Sequence, residues 1–292
     1  MKQLLRLIIR FLLVLSGFLF IFNLPSLLGI GKNSVNLNFP IFWGNIKSVV
    51  QEFIHIKGLN WYQELFEKLG IAESYQYTMT ILIASLLVVM ICSLLFAVIV
   101  ILSPLKVRNL LKSAINFFEG VPDLLVIFLF MLFVITLYKT TGLKFLQLYG
   151  VFGKKPYFVP IMTVSFLPFF FLLQFLIKTI TDEHSQDYVL YLKSKGIGRI
   201  RILLVHIMRN IFPLVFLQLR TTVWVLLSNI YLVEFIFNIK GFTKQFLTLL
   251  YIGGDFISLV ICLLMLAIPL VVMEAGGWAI TKLFKGREGV SI

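Results

Sequence analysis

Five Lys/Arg, a histidine and a Gly-x-Gly are concentrated between Gln186 and Asn210, in the stretch QDYVLYLKSKGIGRIRILLVHIMRN. Elsewhere the residue types that do chemistry are sparse. His55, His184 and His206 all fall outside the long apolar runs. Cys92 and Cys262 lie inside such runs, with no second Cys or His at metal-ligand spacing, and read as small buried hydrophobes. Neither H-E-x-x-H nor G-x-S-x-G occurs. Gly31-Lys32 is the nearest approach to a phosphate loop, but Ser26 stands where its first glycine is needed. Gly196-Ile197-Gly198 lacks the third glycine and the preceding strand of a dinucleotide site. No catalytic residue, metal site or cofactor is expected in this chain.

The elements that must position the basic stretch are greasy. Of 292 residues, 60% are hydrophobic and 13% charged, against about 45–50% and about 25% in soluble domains. Apolar runs long enough to cross a bilayer recur, and they do not alternate as barrel strands do. The expected fold class is an all-α polytopic membrane protein of about six transmembrane helices. They fall at about 9–30, 77–103, 113–138, 157–178, 212–237 and 256–283. The first follows Lys2, Arg6 and Arg10 and reads as an uncleaved span, because its apolar run is too long for a signal peptide and no small-x-small site follows.

A net charge of +13 would suggest nucleic acid in a soluble protein. Here it reflects loops facing the cytoplasm, and no nucleic-acid partner is expected. With the N-terminus inside, the inner segments carry fifteen Lys/Arg and the outer segments ten. The expected location is the cell membrane, multi-pass, with both termini cytoplasmic. Three divisions follow: 1–76, a first helix plus an extracellular loop; 77–283, a five-helix core with a cytoplasmic loop at about 182–211; and 284–292, a cytoplasmic tail. The outer loop should hold two short helices, near 45–56 and 60–70. The second, marked by Trp61, Leu65 and Leu69, reads either as a packed cap or as a docking surface.

Charges inside spans need an account, since each costs about 2.5–3.5 kcal/mol at the membrane centre. Arg220 sits in the fifth span beside Gln218, Thr221 and Thr222, with Glu119, Asp123 and Glu274 in other spans. It reads as the partner of one of these acids or as polar lining of a path through the membrane. Glu234 reads as lining of an outer gate or as the cap of a neighbouring helix. Phe169, Phe170 and Phe171 read as a lipid-facing stripe.

Within the basic stretch, Thr181, Asp182 and Glu183 look like a helix start. Val189, Leu192 and Gly196 fall on one helical face, and Gly196 and Gly198 punctuate the run. A second helical pattern joins Ile200, Leu203, Leu204, Ile207 and Ile211, and Pro213 should open the fifth span. One reading is a basic amphipathic element that anchors on anionic membrane lipid, though a flat surface helix would not need the Gly-x-Gly break. The glycine bend adds a knob that suits a cleft on a soluble partner.

Asp187-Tyr188-Val189, Lys195-Gly196, His206, Arg209-Asn210 and Pro213 resemble the cytoplasmic signature loop of ABC importer permeases of the oligopeptide/dipeptide/nickel, binding-protein-dependent group. Leu192 and Ser194 stand where that pattern has alanines. Val233-Glu234, Phe237 and Gly241-Phe242 are similar to the segment after the family's fifth span, with Lys240 in place of its Pro. Val121-Pro122 and Asp255-Phe256 match at the third and last spans. The likeness covers about 77–283.

The resemblance implies a type I ABC importer-like fold and a permease subunit of an ATP-driven importer, not an enzyme. It implies passage of a small peptide, nickel or a metal chelate delivered by an extracellular substrate-binding protein. It implies a second homologous permease subunit and two cytoplasmic ABC ATPases, which carry the ATP and Mg. Coupling would run through the 186–210 loop, with Asp187, Tyr188, Leu192, Lys195, Gly196, Ile197 and Arg199 at the ATPase contact and Asp187 capping or pairing within the loop. Arg220 and Glu234 are the candidates for the translocation path. The competing readings are an intramembrane enzyme or a secondary transporter without ATPase partners. The missing catalytic motifs speak against the first, and the missing internal repeats and paired midplane acids against the second.

Overall fold

A computed structural model describes Leu13, 16–30, 35–54, Phe66, 70–142, 155–252 and 256–285. The described residues are nearly all helical. Helix α1 (Ser16–Leu27) leads into a small antiparallel hairpin, β1 (Leu28–Ile30) and β2 (Val35–Leu37), which pairs Gly29 with Asn36. This hairpin is the departure from the all-α expectation. Helix α2 (Phe39–Ile54) starts earlier than the helix expected near 45, because Pro40 is tolerated in a first turn. The helix expected near 60–70 lies outside the described residues.

Then follow α3 (Ile71–Leu102), α4 (Leu105–Glu119), α5 (Asp123–Thr141), α6 (Phe158–His184), α7 (Asp187–Ser194), α8 (Arg199–Ile236), α9 (Phe242–Ile252) and α10 (Phe256–Lys285). Among the described residues, five helices are long and apolar enough to cross a membrane: α3, α5, α6, α8 and the Ser258–Gly277 portion of α10. The shorter apolar α1 falls within the expected first span. The chain is a polytopic helical membrane protein.

Three boundaries differ from the sequence reading. The span expected at 113–138 divides at Gly120-Val121-Pro122 into α4 and α5. Pro122 has no amide to continue a helix, and it biases Val121 away from helical angles. The amphipathic α4 is left as a separate element, with Ile115 its one buried residue. Thr181–Glu183 end α6 rather than starting a helix; Thr181 bonds back to the Ile177 carbonyl at 2.6 Å. Finally, Pro213 lies inside α8 rather than opening it, and α8 runs on from Arg199 through a π-helical stretch at Ile202–Ile207.

The chain divides into two compact units. One comprises 1–72 with 246–265, the other 73–245 with 266–292. In the first, the Phe42 ring lies 5.2 Å from Phe20 and 5.6 Å from Trp43, both edge-on. In the second, α6 packs chiefly on α8 and α4. Leu172, Leu176 and Ile180 of α6 and Ile202, Val223 and Leu226 of α8 are all buried in one cluster. In lipid such packing stabilises through van der Waals contact rather than removal from water. Small polar residues let these helices approach: the Ser165 hydroxyl, on α6, reaches the Ser85 carbonyl on α3 at 3.5 Å. Phe169 and Phe170 are not a lipid-facing stripe. Phe169 lies 5.4 Å from Phe96, and Phe170 stacks on Phe118 at 4.9 Å.

Candidate functional site

The bend expected at Gly196 is built as follows. Helix α7 ends at Ser194, and Gly196 takes φ +76°, the left-handed region that glycine alone enters without strain. Its amide donates to the Lys193 carbonyl at 2.9 Å, and the Ile197 amide donates to the Leu192 carbonyl at 3.2 Å. These two bonds form a Schellman motif, which satisfies carbonyls a helix end leaves orphaned. The motif pairs the residue three back from the cap with the one two beyond it, here Leu192 and Ile197. Both pack against the buried cluster. Leu192 is therefore an anchor of the bend, where an alanine would reach less far.

Gly198 then starts α8, its carbonyl accepting from the Ile202 amide at 3.1 Å. The result is a protruding corner. Lys195, Gly196, Gly198 and Arg199 are exposed at its tip, and the Lys195 ammonium lies 4.4 Å from the Tyr191 ring centroid. Asp187 is the first residue of α7 and exposed. No side chain caps that helix, so the capping expected of Asp187 is not what it does. Its carboxylate instead lies at the positive end of the helix dipole. The apolar face of the second helix also differs: Ile202, Leu203, Ile207 and Ile211 are buried, while Ile200 and Leu204 are exposed. The π-helical stretch shifts the register that a uniform 3.6-residue period assumes.

A brace behind the corner was not visible in the sequence. Glu183, near the end of α6, accepts from the Tyr188 hydroxyl at 3.0 Å and from the Asn210 amide at 3.2 Å. One carboxylate thus ties α6, α7 and α8 together. Burial, and then the Glu183 carboxylate, push the Tyr188 hydroxyl up to about 12, so it stays a proton donor at neutral pH. Of the expected contact residues, Tyr188, Leu192 and Ile197 face inward and hold the corner. Asp187, Lys195, Gly196 and Arg199 face outward.

Arg220 and Glu234 are not brought together. They lie about four turns apart on α8. The Arg220 guanidinium is 3.5 Å from the Glu274 carboxylate of α10. Glu234 is buried, 1% exposed, at the other end of α8. Helix α8 ends there in a second Schellman motif, with Asn238 at φ 52° and the Ile239 amide bonded to the Glu234 carbonyl at 3.0 Å. The Glu234 carboxylate accepts from the amides of Thr243 and Lys244 at 3.0 and 3.2 Å, in the first turn of α9. The Thr243 and Thr78 hydroxyls donate to it as well. Of the two roles open to Glu234 in the sequence, the geometry is that of a helix cap.

A cavity of about 530 Å³ lies between α4, α6 and α8. Lys112, Glu119, Gln174, Lys178, Asp182 and Gln218 supply its polar wall.

Residues 93–277 match the family described as binding-protein-dependent transport system inner membrane component. The chain is also similar to the metal-staphylopine import system permease protein CntB of Staphylococcus aureus. It is 22% identical over 174 residues to the proteins of strains Mu50 and NCTC 8325, covering 59% of this chain and 53% of each relative. The chain thus spans about half the length of the curated relatives it matches.

Proposed function

Because this chain belongs to the family of binding-protein-dependent transport system inner membrane components, we propose that it is the membrane-spanning permease subunit of an ATP-driven importer. It would pair with a second permease subunit, take cargo from an extracellular binding protein, and be driven by two cytoplasmic ABC ATPases that hold ATP and Mg. Both termini would lie on the cytoplasmic side.

The observation that carries the reading is the corner at Gly196. A soluble motor that closes on ATP needs a rigid protrusion to push, and this one has an anchored base and an exposed tip. Asp187, Lys195, Gly196 and Arg199 would meet the ATPase directly, while Tyr188, Leu192 and Ile197 hold their geometry. The polar cavity between α4, α6 and α8 would belong to the translocation path. For cargo, the similarity to a metal-staphylopine import system permease favours a metal chelate over a free peptide.

The test is uptake by cells expressing the full transporter, with a labelled metal chelate and a labelled peptide in parallel, alongside co-purification of the ATPases. Removal of Gly196–Arg201 should abolish uptake and ATPase association while the chain remains in the membrane. Undiminished ATPase co-purification would sink the coupling role, and uptake of peptide alone would sink the chelate assignment.

A further inference from the structure

Arg108 of α4, His184 at the end of α6, Lys193 of α7 and Arg199 of α8 line one cavity of about 710 Å³. No Asp or Glu is among its lining residues. Lys193 is held in place there, its ammonium 3.1 Å from Nε2 of His184, which accepts the bond when neutral. The Nε of Arg108 is buried and has no hydrogen-bond partner among the described residues. Three cations and a histidine from four helices, with one guanidinium donor unanswered, are unfavourable without a counter-charge.

We propose that this cavity binds a phosphate-bearing anion. A phosphate offers several acceptor oxygens in a tetrahedral arrangement, enough to answer donors arriving from separate helices. The placement fits the same chemistry. Leu102 and His184, at the cavity wall, are where two membrane-crossing helices end. Lipid phosphates lie at that level of a bilayer. Next to the cavity, α4 turns Leu105 and Leu110 outward, 67% and 71% exposed, as an interfacial helix does toward acyl chains. The phosphate can be that of an anionic lipid headgroup or a soluble one. Neither source depends on the importer reading.

Native mass spectrometry of the detergent-purified full chain separates them, using phosphatidylglycerol, phosphatidylcholine and inorganic phosphate as probes. The wild-type chain should retain phosphatidylglycerol at roughly tenfold lower concentration than phosphatidylcholine. Arg108→Gln and Lys193→Gln should each weaken that retention about tenfold, while Lys240→Gln leaves it unchanged. Phosphatidylglycerol that inorganic phosphate does not displace identifies the headgroup as ligand; displacement, with phosphate adducts lost in the two variants, identifies the soluble anion. Should Arg108→Gln fail to fold, Lys193→Gln carries the same expectation. Equal retention in all four proteins overturns the proposal. So does an absence of preference for either anion, including the case in which Arg108→Gln lowers only ATPase co-purification and a protein contact fills the cavity.

Discussion

A β-carbon on Gly241 would lie 2.0 Å from Cδ of Glu234. The glycine leaves the volume in which the carboxylate caps α9. That carboxylate can move aside only by giving up its bonds to Thr243, Lys244 and Thr78. Gly241→Ala should therefore cost about 2–4 kcal/mol. Gly277→Ala is the contrast, since its β-carbon would meet Leu217 at an ordinary 3.7 Å. Thermal melts of the detergent-solubilised chain should show a clear drop for the first substitution and none for the second.

Thr78 works from the other side of the same cap. Its hydroxyl donates to Glu234 and accepts from the Phe242 amide at 2.9 Å. Thr78→Val keeps the shape, removes both bonds and leaves that buried amide without its acceptor. A loss of about 1–3 kcal/mol is expected. Combined with Gly241→Ala, the two losses should be less than additive in the same melts, because both act through one carboxylate.

How much of this could be read in advance depended on whether the signal was local. The bend at Gly196 was legible, because a left-handed residue ending a helix calls for glycine and that glycine is in the chain. The long apolar helices were legible from their length alone. The roles of Glu183 and Thr78 were not: Glu183 meets Asn210 across the fold, and Thr78 meets Glu234 across more of the chain still. Hydrophobic periodicity carries no record of such pairs. Pro213 misled because proline is common at helix starts, whereas a membrane helix tolerates it inside. Phe169 and Phe170 misled because an apolar ring is equally at home in lipid and against Phe96 and Phe118.

Gly196 and Gly198 should respond differently although they are two residues apart. A β-carbon on either meets nothing within 4 Å, so space does not distinguish them. Backbone angle does. Gly196 has φ +76°, where an L side chain costs about 1–2 kcal/mol, whereas Gly198 has φ −64°. Gly198→Ala should be neutral or slightly stabilising. Gly196→Val should loosen the corner and reduce uptake several-fold with membrane abundance unchanged, read by transport assay and immunoblot. Equal transport in both variants would mean the bend does not transmit force.

The Glu183 brace makes a prediction about geometry that is separable from contact. Tyr188 is half-buried behind the corner and meets Glu183 through its hydroxyl. Tyr188→Phe keeps the ring and deletes that bond, at a cost of about 1 kcal/mol. Glu183→Ala removes both the Tyr188 and Asn210 bonds and should cost more. The pH dependence follows from the raised tyrosine. With the hydroxyl pushed from its usual 10.0 up to about 12, the brace is fully present below the unfolded value and is lost only as pH rises through the folded one. The wild-type melting temperature should therefore show no pH dependence from Tyr188 across neutral pH, the bond contributing there in full. If Glu183 positions the corner for the ATPases, Glu183→Ala should leave some ATPase bound yet uncouple it, so that ATP hydrolysis proceeds without cargo uptake. ATP hydrolysis and uptake that fall in parallel would instead mark Glu183 as a purely stabilising residue.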